Sequence, residues 1–151
     1  MRIMVVNGPN LNLLGKRELG LYGDKTLAWI EGELRDLGSE LGMVVECLQS
    51  NHEGELVDII QRAGCDSQGV ILNAGAYTHT SVALRDAVFS CRAPVVEVHL
   101  TNPQAREDFR RVSLLADACA GSIAGFGWQS YVLALLWFQH CRCGQASMAV
   151  K

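Results

Sequence analysis

Residues 2–10 read Arg2-Ile3-Met4-Val5-Val6-Asn7-Gly8-Pro9-Asn10. Four apolar residues in succession carry no polar alternation, as in a strand buried on both faces. The run then stops at a polar, glycine-containing turn. Three further stretches are built comparably: 43–49 (MVVECLQ), 69–73 (GVILN) and 95–100 (VVEVHL). Pro94 precedes the last of these, at the entrance to a strand where proline is tolerated. A fifth strand is expected within 118–126.

Helical patterns separate these runs. Leu27, Ile30, Leu34, Leu37 and Leu41 recur at spacings of three and four, one apolar stripe on a helix. Ser50-Asn51-His52-Glu53 fits a capping box opening a helix that runs to about Ala63. Further helices are expected from about Ser81 to Cys91 and through Tyr131 to Gln139, with a short helical turn near Ala105 to Arg110. Strands spaced by helices imply a parallel sheet covered on both faces. Five such units predict a flavodoxin-like, doubly wound, five-stranded parallel α/β fold. It should form a single domain over residues 1–141, with 142–151 a poorly ordered tail.

The composition narrows the function classes. A chain of 151 residues with 49% hydrophobic side chains can bury one sizeable core. A net charge of -3 argues against a nucleic-acid or anionic-membrane surface, which needs clustered Lys and Arg. The longest apolar run, Val132 to Phe138, is far short of the ~20 residues of a membrane span. The N-terminal apolar stretch is too short for a signal peptide, and a cytoplasmic protein is expected. The six cysteines form no CxxC pair and read as reduced, buried thiols. The cluster His140-Cys141-Arg142-Cys143 lacks further metal ligands nearby.

Ligands of doubly wound sheets bind beyond the carboxyl ends of the strands. Here those ends carry Asn7-Gly8-Pro9-Asn10, Asn73-Ala74-Gly75 and His99-Leu100-Thr101-Asn102. Glu97 and His99 are two residues apart on one strand and share a face. They are either an acid–base pair or a polar pair that satisfies a buried strand end. His79 is either a ligand contact or a loop histidine beside a helix cap. Arg17 and Tyr22 lie in a loop punctuated by Gly15, Gly20 and Gly23. By itself this is an ordinary exposed loop, although such a segment can also act as a lid. A phenol is only ~0.1% ionised at neutral pH, and a close guanidinium would raise that fraction. Arg106 and Arg110, at i and i+4, share one face if that segment is helical. Ser81 and Cys91 have no adjacent base, and no Walker-type GxxxxGKS/T loop is present.

Five stretches together resemble the type II 3-dehydroquinases in order and spacing. They are NGPNLNLLGKRE (7–18), SNHEGELVD (50–58), VILNAGAYTHTSVALRDA (70–87), EVHLTNPQAREDFRR (97–111) and GFG (125–127). The likeness covers roughly residues 1 to 140. It implies dehydration of 3-dehydroquinate without metal or organic cofactor. Tyr22 would be the base, with Arg17 lowering its pKa. His99 would be the general acid, held by Glu97, and Asn10 would stabilise the enolate oxygen. Leu100 and Thr101 would bind the substrate carboxylate, and Asn73, His79 and Arg110 the ring hydroxyls. Arg106 would support the closed lid, and Asp86 would reach a neighbouring subunit's site. Trimers associating into a dodecamer are implied as well.

Several positions depart from the family pattern. Where the family lid usually reads R-E-P-x-x-Y-G, this chain has Arg17-Glu18-Leu19-Gly20-Leu21-Tyr22-Gly23. Losing Pro and gaining Gly20 widens the open lid's conformational freedom. Thr101 replaces the more usual Ser and keeps the hydroxyl. Trp128 stands where a smaller residue is expected. Two other readings compete with the dehydratase: a flavodoxin-like module binding FMN or another phosphate-bearing ligand, and an inactive oligomeric paralogue. The loop after the first strand, with Pro9, Leu11, Leu13 and Leu14, suits a phosphate poorly.

Overall fold

The structure is a computed structural model that describes residues 1–16 and 24–143. Five parallel strands, β1 (Arg2–Asn7), β2 (Val44–Gln49), β3 (Gly69–Asn73), β4 (Val95–His99) and β5 (Gly121–Ala124), form one sheet in the order β2-β1-β3-β4-β5. The helices are α1 (Leu27–Glu40), α2 (Glu53–Asp66), α3 (Val82–Phe89) and α4 (Gln129–Cys143). This is the doubly wound, flavodoxin-like arrangement that the alternation of strands and helices implies. The strand order reverses between β1 and β3, which is where such sheets open a crevice.

Both faces of β1 are covered, which is why its sequence lacks alternation. Ile3 and Val5 pack with Leu27, Ile30 and Leu34 of α1 and with Tyr131, Leu135 and Phe138 of α4. Met4 and Val6 pack on the other face with Leu56, Ile59 and Ile60 of α2 and Leu84 and Val88 of α3. Each large apolar side chain so buried stabilises the fold by about 1.5–3 kcal/mol. Phe138 presses directly on the start of β3. A Cβ on Gly69 would lie 2.4 Å from its ring, so this strand must begin with glycine.

The registers level the carboxyl ends. Asn7 pairs with Gln49 on one side and with Asn73 on the other, and Leu72 pairs with Glu97. The polar strand ends therefore stand on one rim, as expected.

Some local expectations change. The capping box does not form: α2 begins at Glu53 behind His52, which makes no side-chain cap. Ser50 Oγ instead accepts from the His52 N–H at 2.9 Å and donates to Glu55 Oε2 at 2.5 Å. The helical turn near 105–110 is two 3₁₀ turns, Pro103–Ala105 and Asp108–Arg110. Arg106 between them is extended (φ -109°, ψ -167°), so the shared helix face of Arg106 and Arg110 does not exist. Ser81 caps α3, accepting from the Leu84 N–H at 2.9 Å. The last helix reaches Cys143, four residues beyond the expected end. Cys65 and Cys141 are exposed rather than buried. Cys47, Cys91 and Cys119 are half-buried, and burial pushes their thiols up to about 12, 11 and 12.

Candidate active site

The crevice at the β1/β3 switch point is a cavity of about 220 Å³. Pro9, Asn10, Leu11 and Leu14 line it from the loop after β1, and Asn73, Gly75, Ala76 and His79 from that after β3. His99, Leu100, Thr101, Pro103, Arg106 and Arg110 complete the wall beyond β4.

The loop after β1 is held tightly. Gly8 donates to the Asn73 carbonyl at 2.7 Å, and a Cβ there would lie 2.5 Å from the Ala74 carbonyl oxygen. Only glycine lets the two loops approach this closely. Asn10 follows in the left-handed region (φ 65°), a conformation Asn tolerates better than most residues. Its N–H donates to Asn51 Oδ1 at 2.9 Å, and Gln49 Nε2 donates to the same oxygen at 3.1 Å. Gln49 at the end of β2 and Asn51 just beyond it thus fix where Asn10 stands.

His99 and Glu97 meet as their shared face requires, with Nε2 3.0 Å from Glu97 Oε1. A carboxylate accepts, so Nε2 carries the proton and Nδ1 is left as the ring's other nitrogen. Glu97 is fully buried. Its Oε1 also accepts from Thr78 Oγ1 and, at 2.8 Å, from Ser113 Oγ, while Oε2 has no partner among the described residues. Burial pushes the Glu97 carboxyl up. The His99 hydrogen bond and charge and the two hydroxyl donors outweigh burial, holding it below its ordinary range.

A folded pKa lowered in this way adds stability that is present above the unfolded value of ~4.3. It is lost as the pH falls through the folded value. Between pH 7 and pH 3 the thermal midpoint of the wild type is therefore expected to fall more steeply than that of Glu97→Gln. Parallel pH profiles of the two proteins would refute this.

The segment after Arg110 docks on the loop after β3. His79 Nδ1 lies 2.7 Å from the Val112 carbonyl, and the Leu114 N–H donates to the Thr78 carbonyl at 2.8 Å. Because a carbonyl only accepts, His79 Nδ1 carries a proton. In the neutral ring Nε2 is then an acceptor. Arg106 and Arg110 reach the cavity from separate turns and share Glu107, whose Oε2 is 3.6 Å from Arg106 Nε and 2.9 Å from Arg110 Nε. Arg106 also approaches Thr101 Oγ1 at 3.5 Å. The Glu107 carboxyl is held below its ordinary range by its own backbone N–H and by these two guanidiniums.

The cavity therefore gathers Asn10, Asn73, His79, His99, Leu100, Thr101, Arg106 and Arg110, with Glu97 directly behind His99. Asp86 is exposed on α3 and does not line this chain's cavity. Arg17 and Tyr22 lie outside the described residues. Sequence reasoning missed Thr78 and Ser113, the two hydroxyls on Glu97. Thr78 is one of several polar residues in its loop, and Ser113 lies 16 residues beyond Glu97 with no local pattern around it. Trp128 now has a packing partner in Trp29, edge to face at 5.1 Å between centroids.

The fold and site define a doubly wound α/β enzyme with an imidazole–carboxylate pair at the carboxyl rim of its sheet. A family model described as dehydroquinase class II matches residues 1–139. The 3-dehydroquinate dehydratase of Rhizobium johnstonii is 57% identical over 133 residues, covering 88% of this chain and 92% of that protein. That of Parasynechococcus marenigrum is 56% identical over 135 residues, covering 89% and 92%. The crystal structure of type II dehydroquinase from Propionibacterium acnes superimposes with a TM-score of 0.90 at 40% identity, covering 92% of this chain and 96% of that one. The chain belongs to the class II dehydroquinase family.

Proposed function

We propose that this enzyme dehydrates 3-dehydroquinate to 3-dehydroshikimate by anti elimination through an enolate, in the shikimate route to aromatic amino acids. One observation carries the reading: a histidine with one ring nitrogen tied to a fully buried carboxylate stands in a small polar cavity beside two arginines and two asparagines. The reaction needs a base for the proton beside the ketone, a group that stabilises the enolate oxygen, and an acid for the departing hydroxyl.

His99 is the acid in this proposal. The Glu97 anion orients the ring and offsets the charge it carries while holding the proton to be delivered. Tyr22 is the base, Arg17 makes its phenolate accessible, and Asn10 stabilises the enolate oxygen directly or through a water. Leu100 and Thr101 receive the carboxylate. Asn73, His79 and Arg110 hold the ring hydroxyls, with His79 Nε2 as an acceptor. Arg106 supports the closed lid. Asp86, which does not line this cavity, acts in a neighbouring subunit's site within a dodecamer built of trimers. Residues 1–141 are the catalytic domain, 142–151 a tail outside it, and the location is cytoplasmic. The same chemistry would also serve quinate breakdown.

The direct test adds 3-dehydroquinate to purified protein and follows the ultraviolet absorbance of the conjugated enone product, with and without a chelator. Absence of the product under both conditions would overturn the proposal. The lid supplies a second test. If Leu19 and Gly20 raise the entropic cost of closure, Leu19→Pro increases kcat by about two- to fivefold, corresponding to the ~0.4–1 kcal/mol a compatible proline contributes. An unchanged or lower kcat would contradict that account.

A further inference from the structure

One buried side chain at the back of the cavity has no part in the reaction described so far. Tyr131 on α4 is completely buried, although a hydroxyl without partners is costly in such a place. Its oxygen accepts from Asn73 Nδ2 at 2.8 Å, and its proton goes to Asn7 Oδ1 at 2.7 Å. Asn73 Oδ1 accepts from the Gly75 N–H at 3.2 Å. These three bonds fix the sense of the chain. Were the Asn7 amide reversed, two N–H groups would converge on the phenol oxygen and its proton would lose this acceptor. Burial raises the Tyr131 pKa, so the phenol keeps its proton and the polarity does not reverse with pH. Asn73 is left with one N–H and one lone pair beyond these bonds, and it lines the cavity.

We infer that Tyr131 is the positioning residue for Asn73: its hydroxyl dictates which way that amide faces, and so how tightly the cavity grips a ring hydroxyl of the substrate. The inference rests on the dehydratase reading and deepens it. Asn73 makes no bond to a reacting atom in that reading. Losing its orientation therefore weakens substrate and transition state alike, which raises KM and spares kcat.

The experiment compares the wild type, Tyr131→Phe, Asn73→Ala and the double variant on 3-dehydroquinate, with thermal midpoints measured alongside. Tyr131→Phe is expected to raise KM about tenfold with kcat within about twofold. Introduced into Asn73→Ala, it should change KM by less than about twofold, because the two residues act as one unit. An unchanged KM in Tyr131→Phe overturns the inference. So does a tenfold effect that persists without Asn73, which would mark a purely structural role. Should Tyr131→Phe fail to fold, Asn7→Ala serves instead. It leaves the phenol without its acceptor, and its KM effect should likewise vanish in the Asn73→Ala background; an additive effect refutes the inference. A wild type that makes no enone removes the dehydratase reading and this inference with it. An active wild type with an unaltered Tyr131→Phe variant removes only the inference.

Discussion

His99→Ala is expected to fold and to lose about 10²–10⁴ in kcat, the usual contribution of a positioned general acid. The fold should survive because the histidine stands at the rim and not in either apolar layer of the core. Its removal costs Glu97 one of three donors, leaving Thr78 and Ser113 in place. A buried acceptor losing one donor costs about 1–3 kcal/mol, a drop of several degrees in the thermal midpoint and not collapse. KM should change little, since the proposal assigns the carboxylate and hydroxyl contacts to other residues. The enone assay and a thermal melt check both statements. A loss of kcat below tenfold in a folded variant would remove His99 from the role of acid.

Tyr22→Phe should lower kcat by a similar ~10²–10⁴ while leaving KM within a few-fold. Phenylalanine keeps the ring and deletes only the oxygen to which the proposal assigns the proton. Among the described residues that line the cavity, His79 offers a second candidate base, because its Nε2 is an acceptor while Nδ1 is committed to the Val112 carbonyl. The two bases are told apart by comparing Tyr22→Phe with His79→Phe. If His79→Phe abolishes turnover and Tyr22→Phe retains it, the base is His79. The reverse pattern, with His79→Phe acting mainly on KM, is expected here.

Much of this was legible in the sequence because it rests on short-range pattern. Uninterrupted apolar runs revealed strands covered on both faces, and spacings of three and four revealed α1. The Glu97–His99 contact followed from the two-residue period of a strand. The errors arose where a local motif met a competing geometry. Ser50 has the spacing of a capping box, yet its hydroxyl closes a turn onto His52 and reaches Glu55 instead. Arg106 and Arg110 have helical spacing, yet an extended Arg106 divides the segment, and only their convergence on one cavity survives. Thr78, Ser113 and Tyr131 were invisible for a different reason. Their partners are distant in sequence, and no periodicity encodes a hydrogen bond made across the fold.

The bond from Tyr131 to Asn7 joins residues 124 positions apart, nearly the ends of the described residues. During synthesis, β1 leaves the ribosome early and β3 can align beside it. The pocket floor nevertheless stays open until α4 has been made and has settled on the sheet. A nascent or truncated chain ending before residue 131 thus lacks both a finished site and the Tyr131, Leu135 and Phe138 cover of one sheet face. Recovery of turnover after denaturation would consequently time the arrival of the last helix, not the collapse of the first strands.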